Sequence, residues 1–164
     1  SLFYNGVDGD KMTKHNCLPR NVLMWFESMF RHYLNWNKVE EYSLHLNSVW
    51  VNQMFEHEYN PVHVHQGSLN TGLSSVMILK LPESYGVEYS SPHQPQNGRL
   101  QILGSASGQF ANIDYQPDVK ERDFYVFPYD MRHTVYPFNG PGWRRTLAAN
   151  MDVDYDPIKN RGVN

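Results

Sequence analysis

Two histidines separated by a single residue, His63 and His65, could bind one metal ion together. On a β-strand they project from the same face, roughly 6.5–7 Å apart along the backbone, so both side chains can reach one ion. The valines that flank them would face the other way. Neutral imidazole is a common ligand of iron, zinc, copper and nickel. A third histidine from another strand would leave coordination positions for substrate, and His133 is the candidate.

The pair Arg144-Arg145 is the candidate anion-binding element. An alternating strand places Arg144, Thr146, Ala148 and Asn150 on one face and Arg145 on the other. Small residues beside Arg144 leave room for a ligand. A guanidinium that points into a protein interior is costly unless an anion meets it, and it matches a carboxylate in a planar, bidentate way. The alternative is a structural salt bridge with one of the 17 acidic residues.

The segment between His133 and Arg144 predicts a tight turn between two strands. Phe138–Gly142 is rich in the residues that form turns. If the strands on either side pair as a hairpin, Arg144 returns alongside His133. The sequence therefore predicts that the metal site and the anion site are neighbours.

These residues require a scaffold of short strands. From Pro19 onward, apolar residues recur at three- and four-residue steps, which predicts a helix of about four turns that packs on a sheet. After Asn37 the pattern is of β-type runs separated by turn residues. These runs are Tyr42–Phe55, Val62–His65, Ser74–Leu81, Val87–Ser90, Leu100–Leu103, Asp123–Pro128, Thr134–Tyr136 and Arg144–Met151. A helix followed by about eight strands favours a mainly β fold, a jelly-roll, cupin-like or double-stranded β-helix barrel with an N-terminal packing helix.

Length and composition narrow the function classes. We expect 164 residues to form a single domain, with a lead-in and helix over 1–40, the barrel over 41–151 and a loose tail over 152–164. A net charge of −3 without a basic tract disfavours a nucleic-acid partner. No apolar run is long enough for a membrane span. The lone Cys17 favours a reducing cytoplasm.

In order along the chain, these motifs resemble the small iron(II)/2-oxoglutarate-dependent oxygenases of bacteria and tailed phages. The resemblance covers about residues 48–151 and is carried by His63-Val64-His65, Leu73–Pro82, Phe127-Pro128, His133-Thr134-Val135, Arg144 and Asn150. It implies Fe(II) as metal, 2-oxoglutarate as cosubstrate and molecular oxygen as oxidant. It also implies oxidative decarboxylation to succinate and CO2, coupled to hydroxylation of a small-molecule or peptide substrate.

The resemblance also assigns individual residues. It makes His63 the first iron ligand, His133 the distal histidine, and Arg144 the residue that grips the far carboxylate of 2-oxoglutarate. Arg144 is preferred to Arg145 because of its spacing to Asn150 and its side of the strand. Polar residues on facing strands assist that grip in the family, and the candidates here are Asn52, Ser74 and Asn150.

One position departs from the wider superfamily, which places Asp or Glu two residues after its first histidine. This chain has His65 there, and we expect it to be the third ligand. Asp130 and Glu58 lie near the motifs and are the alternative carboxylates. Three neutral ligands leave an iron(II) site one charge unit more positive than the usual set does. Such a site should bind a dianionic cosubstrate more strongly.

Two other function classes remain open at this point. Three-histidine iron sites in cupin barrels catalyse dioxygenation without 2-oxoglutarate, with an arginine that holds the substrate carboxylate. A jelly-roll binding or virion protein would use the histidines structurally and bind no metal. Neither the substrate nor the oligomeric state is indicated by the sequence.

Overall fold

The strands form two antiparallel sheets in the computed structural model, which describes residues 2–5, 18–89, 93, 95–104 and 114–157. In chain order the elements are β1 (Leu2–Asn5), α1 (Arg20–Trp36), β2 (Tyr42–Phe55), β3 (Asn60–His63), β4 (Gly72–Lys80), β5 (Leu100–Leu103), β6 (Phe124–Pro128), β7 (Arg132–Val135) and β8 (Trp143–Tyr155). One sheet has the order β1-β2-β8-β4-β6, and the other has the order β3-β7-β5.

The two sheets face each other across an interior cavity that side chains from both of them line. This arrangement confirms the predicted mainly β jelly-roll class. Within the described ranges the strands stay in two separate sheets, so the fold is an open sandwich and not a closed barrel. The long strands β2 and β8 pair along almost their whole length and form the centre of the larger sheet.

Helix α1 covers the outer face of the larger sheet, as its apolar stripe predicts. Phe26, Phe30 and Leu34 are buried on one side of the helix and pack against Met151 and Val153 of β8. Because side chains alternate along a strand, the other face of β8 is left to line the cavity. No helix in the described ranges combines the length and the apolar character that a membrane crossing requires.

The ends of the chain differ from the prediction. The lead-in contains β1, which pairs with β2, and β8 continues to Tyr155, past the predicted start of the tail. Asp152 and Val153 are buried in this extension. An acidic, polar stretch is typical of a tail when it is considered alone. Here it forms a strand because β2 and β4 provide distant pairing partners.

The predicted hairpin between His133 and Arg144 is wrong. Strand β7 pairs with β3 and β5, whereas β8 pairs with β2 and β4, so the chain crosses from one sheet to the other. Phe138 in the crossing is 1% exposed and packs in the core between the sheets. A Cβ atom on Gly140 would lie 2.1 Å from the carbonyl oxygen of Ser84, so the crossing packs tightly on the segment that follows β4.

The predicted strand Val87–Ser90 is also not observed. Residues 87–89 have no regular secondary structure, and residue 90 lies outside the described residues. The side chain of Asn139 instead accepts the Val87 N–H at 2.7 Å and donates to the Val87 carbonyl at 3.0 Å. A segment held by a side-chain amide in this way satisfies its backbone groups without a neighbouring strand.

Candidate active site

The three predicted histidines meet at one point on the cavity wall. The ligand nitrogens of His63, His65 and His133 all lie within 4.8 Å of one another. His63 is the register partner of His133 across β3 and β7. His65 follows β3, and its backbone N–H donates to the Tyr129 carbonyl at 2.9 Å. The flanking valines are more than half exposed, as strand alternation requires.

Hydrogen bonds at the far side of two rings fix their tautomer. His63 Nδ1 lies 2.7 Å from the Pro61 carbonyl oxygen, and His133 Nδ1 lies 2.9 Å from the Met131 carbonyl oxygen. A carbonyl oxygen can only accept, so each Nδ1 carries the proton and donates it. In the neutral ring Nε2 then keeps its lone pair. Backbone partners of this kind are a common way to orient histidines that ligate metals.

The spacing of the nitrogens fits a single metal ion. The Nε2 atoms of His65 and His133 are 3.1 Å apart. Two nitrogens bound to one ion at about 2.1 Å, at a right angle, are separated by about 3 Å. Three imidazoles are suitable ligands for iron and leave coordination positions for other ligands.

Burial keeps two of these rings neutral. Burial, with smaller contributions in the same direction from His133 and His63, lowers the pKa of His65 to about 3. Burial also lowers the pKa of His133 to about 4; its hydrogen bond to Met131 opposes this shift and His63 adds to it. At neutral pH both rings are therefore ready to ligate a cation without losing a proton.

The predicted anion-binding residue lies in the same cavity, which has a volume of about 520 Å³. Arg144 is 2% exposed, and neither its Nε nor its Nη2 has a hydrogen-bond partner among the described residues. Burial lowers its pKa to about 10, and the nearby Tyr85 opposes that shift. The guanidinium thus remains charged at neutral pH. The structural salt bridge that the sequence left open would occupy these nitrogens, and no acceptor in the described ranges is bonded to either of them.

Two further buried polar atoms have no hydrogen-bond partner in the described part of the chain. They are Oδ1 of Asn150 and Oγ of Ser74, and these residues are register partners across β8 and β4. Asn150 and the third predicted helper, Asn52, line the cavity, whereas Ser74 is not among the lining residues. Buried polar groups are normally paired. A group of unpaired ones therefore fits a site that a polar ligand completes.

The rival residues point elsewhere. Arg145 donates to the side chain of Gln53 and stacks on Trp143, with 4.2 Å between its guanidinium carbon and the ring centre. The Glu58 carboxylate accepts the Phe55 N–H at 2.7 Å and is exposed. Asp130 is also exposed and borders a separate cavity beside α1. Neither carboxylate belongs to the histidine cluster, in which His65 occupies the third position.

Two residues of the site carried no signal in the sequence. Tyr85, next to Arg144, belongs to a segment that predicts only a turn. Asp152, in the predicted tail, accepts a hydrogen bond from the Tyr129 hydroxyl at 3.0 Å. Both come close to the site through contacts between distant parts of the chain, which local periodicity does not encode.

A family model described as "Putative 2OG-Fe(II) oxygenase" matches residues 48–150. This range contains the three histidines, Arg144 and the three polar helpers. No curated protein matches the chain.

Several solved structures are similar to this chain at low sequence identity. An oxidoreductase of the 2OG-Fe(II) oxygenase family from Burkholderia pseudomallei is 12% identical with a TM-score of 0.53, over 75% of this chain and 51% of that one. AviO1 from Streptomyces viridochromogenes is 13% identical with a TM-score of 0.49, over 91% and 62%. A viral collagen prolyl hydroxylase of Paramecium Bursaria Chlorella virus-1, in a 2OG complex, is 12% identical with a TM-score of 0.49, over 92% and 76%. The chain thus spans 51% and 62% of the first two proteins.

Proposed function

Because the chain belongs to the 2OG-Fe(II) oxygenase family, whose model matches residues 48–150, we propose that it is an enzyme that uses Fe(II), 2-oxoglutarate and molecular oxygen to hydroxylate a substrate. One observation carries the proposal. Three histidines whose nitrogens surround a single point share a cavity with a buried, unpaired guanidinium. The first group is suited to a cation, and the second to an acidic ligand beside it.

In this proposal, His63, His65 and His133 hold the iron, which when bound supplies the site where 2-oxoglutarate and oxygen react to give succinate and CO2. The hydrogen bonds to Pro61 and Met131 hold two of the rings with Nε2 free. Since all three ligands are neutral, the site keeps the full charge of the ion. That charge attracts a dianionic cosubstrate more strongly than a site with one carboxylate would.

Arg144 binds the far carboxylate of 2-oxoglutarate and so fixes its orientation. Behind it lies an apolar cluster that includes Met54, Ile78, Leu100 and Phe138, all at most 3% exposed. Met54 is the register partner of Arg144 on β2. An apolar cluster at this position excludes water from the guanidinium. The lower local polarity strengthens its pairing with a carboxylate. Asn52 and Asn150 add hydrogen-bonding groups on the same wall.

The lining of the cavity supports an uncharged, polar substrate. Apart from the histidines, Arg144 is the only ionisable side chain among the described lining residues. The others include carboxamide and hydroxyl groups at Asn47, Ser48, Asn60 and Gln66. A small molecule or a peptide segment would find hydrogen-bonding partners there, and a nucleic acid would find no row of cations. We place the reaction in the cytoplasm, as the lone cysteine favours.

His65 favours a second candidate function. A three-histidine site without a carboxylate is also suited to dioxygenation in which the substrate itself chelates the iron and Arg144 holds the substrate carboxylate. This reaction does not consume 2-oxoglutarate. The two candidates therefore differ in their response to that molecule.

Anaerobic titration of the Fe(II)-loaded protein with 2-oxoglutarate distinguishes the two candidate functions. Addition of 2-oxoglutarate to the Fe(II)-loaded protein is expected to produce a visible charge-transfer band that saturates at one equivalent. Admission of oxygen should then release succinate slowly, even without substrate. A protein that binds iron but gives neither the band nor succinate would contradict the proposed function and favour the second candidate. A protein that binds no iron would exclude both and favour a structural role for the histidines.

A further inference from the structure

We propose that Asp152 is a positioning residue, which holds the loop 66–71 and thereby places His65 where it can ligate iron. The inference rests on the proposed function, because the position of His65 matters only if that ring is a ligand. The Asp152 carboxylate does not belong to the histidine cluster. It acts instead through the backbone around His65.

Asp152 lies in the extension of β8 and is 3% exposed. Its Oδ1 accepts the Tyr129 hydroxyl at 3.0 Å, and its Oδ2 accepts the Ser68 backbone N–H at 3.0 Å. The Asn47 side-chain amide, on the cavity wall, donates to the same Oδ2 at 3.4 Å. These three donors come from three separate segments. The carboxylate therefore joins β2, the loop after His65 and the end of β6.

Tyr129 connects this carboxylate to His65. The tyrosine is 2% exposed, and burial together with Asp152 raises the pKa of its hydroxyl, which stays protonated and donates. The carbonyl of the same residue accepts the His65 backbone N–H at 2.9 Å, and its N–H donates to the Gly72 carbonyl at 3.0 Å. Asp152 thus reaches the histidine backbone through Tyr129 on one side and through Ser68, three residues further along the chain, on the other.

Two glycines, one at the start of the loop and one just after it, allow this close packing. A Cβ atom at Gly67 would lie 1.7 Å from Asp152 Oδ1, and one at Gly72 would lie 2.2 Å from the Tyr129 ring. The loop is also fastened to the next residue of β8, since Thr71 and Val153 exchange hydrogen bonds of 2.8 and 3.1 Å. A loop held at so many points has little freedom to move His65.

A stabilising role alone is a weak explanation for Asp152. The three donors named above are uncharged, and a buried carboxylate that only neutral groups solvate is costly to desolvate. Hydrogen bonds that orient a metal ligand affect metal affinity, and those of Asp152 fix the backbone around His65 through Tyr129 and Ser68. This supports a role in positioning.

Cobalt(II), used as the probe, tests the role directly through its binding isotherm and its visible spectrum. Asp152→Ala is expected to weaken Co(II) binding by about 10- to 100-fold. It should also change the ligand-field bands, because one imidazole is displaced. Tyr129→Phe should act in the same direction with a smaller effect. The control is Asp154→Ala, which removes an exposed carboxylate two residues further along β8 and should leave binding unchanged.

A double-mutant cycle with His65→Ala separates positioning from general damage. In the His65→Ala background, Asp152→Ala should weaken Co(II) binding by less than about 2-fold. An equal loss in both backgrounds, or wild-type affinity in Asp152→Ala, would overturn the positioning role alone. A wild-type protein that binds no Co(II) would overturn the proposed function as well. Asp152→Asn keeps an acceptor for the Ser68 N–H and should show an intermediate loss, so the test holds even if the alanine variant does not fold.

Discussion

Arg144→Met is expected to bind 2-oxoglutarate at least about 30-fold more weakly than the wild-type protein and, without ligand, to be more stable. The loss of affinity follows from removing the cationic partner of a carboxylate in a buried site, where such a truncation costs about 2–5 kcal/mol. The metal-chelating end of the cosubstrate should still bind. The result is therefore weak binding and not complete absence of it.

The gain in stability follows from the unpaired state of the guanidinium. Arg144 is almost fully buried, its Nε and Nη2 have no partner, and Met54 lies opposite it. Methionine has a similar length and no charge to desolvate. The free energy of unfolding of the ligand-free protein should therefore rise, by on the order of 1 kcal/mol or more. The wild-type protein would thus be less stable than the variant because it keeps the guanidinium that binds the ligand.

Arg145→Met is the matched control, since this neighbour points away from the cavity toward Gln53 and Trp143. It should keep the wild-type affinity for 2-oxoglutarate. Anaerobic calorimetry on the Fe(II)-loaded proteins measures the affinity, and urea unfolding of the metal-free proteins measures the stability. If Arg144→Met and Arg145→Met bound 2-oxoglutarate equally well, Arg144 would not be the carboxylate-binding residue.

His133→Ala is expected to weaken Fe(II) binding by more than about 100-fold and to abolish succinate release. His133 is 6% exposed, and the ligand cluster found among the described residues contains only His63 and His65 besides it. Loss of a direct ligand should exceed the 10- to 100-fold effect that is typical for the partners of ligands.

The exposed His57 provides the control for this variant. His57→Ala should retain the metal affinity of the wild-type protein in an anaerobic competition titration. Near-ultraviolet circular dichroism should show that His133→Ala keeps its tertiary structure. Wild-type iron affinity in a folded His133→Ala protein would remove His133 from the metal centre.

The sequence predicts those parts of the site that depend on strand alternation. His63 and His65 line the cavity and their flanking valines are exposed, which is the alternation expected of a strand, although β3 ends at His63 and not at His65 as predicted. The same rule separates Arg144 from Arg145. Both statements need only a local pattern, and the structure bears out the geometry of both.

What the sequence does not predict depends on which strands become neighbours. Turn residues between β7 and β8 predict a change of direction, yet they do not specify the sheet that the next strand joins. The hairpin prediction was wrong for this reason, although His133 and Arg144 still line the same cavity. The sequence missed the buried position of Asp152 for the same reason. Its acidic neighbourhood is typical of a tail, and only its contacts with Tyr129 and Ser68 bring it close to the site.

Crystallography at the iron absorption edge is the most direct test of the central claim, that the histidine cluster binds iron next to the carboxylate partner Arg144. Crystals would be grown with Fe(II) and the inert N-oxalyl analogue of 2-oxoglutarate. One anomalous peak is expected at about 2.1 Å from a ring nitrogen of His63, His65 and His133, with the far carboxylate of the analogue paired to Arg144. A peak elsewhere, no peak, or an analogue that leaves Arg144 unpaired would contradict the account.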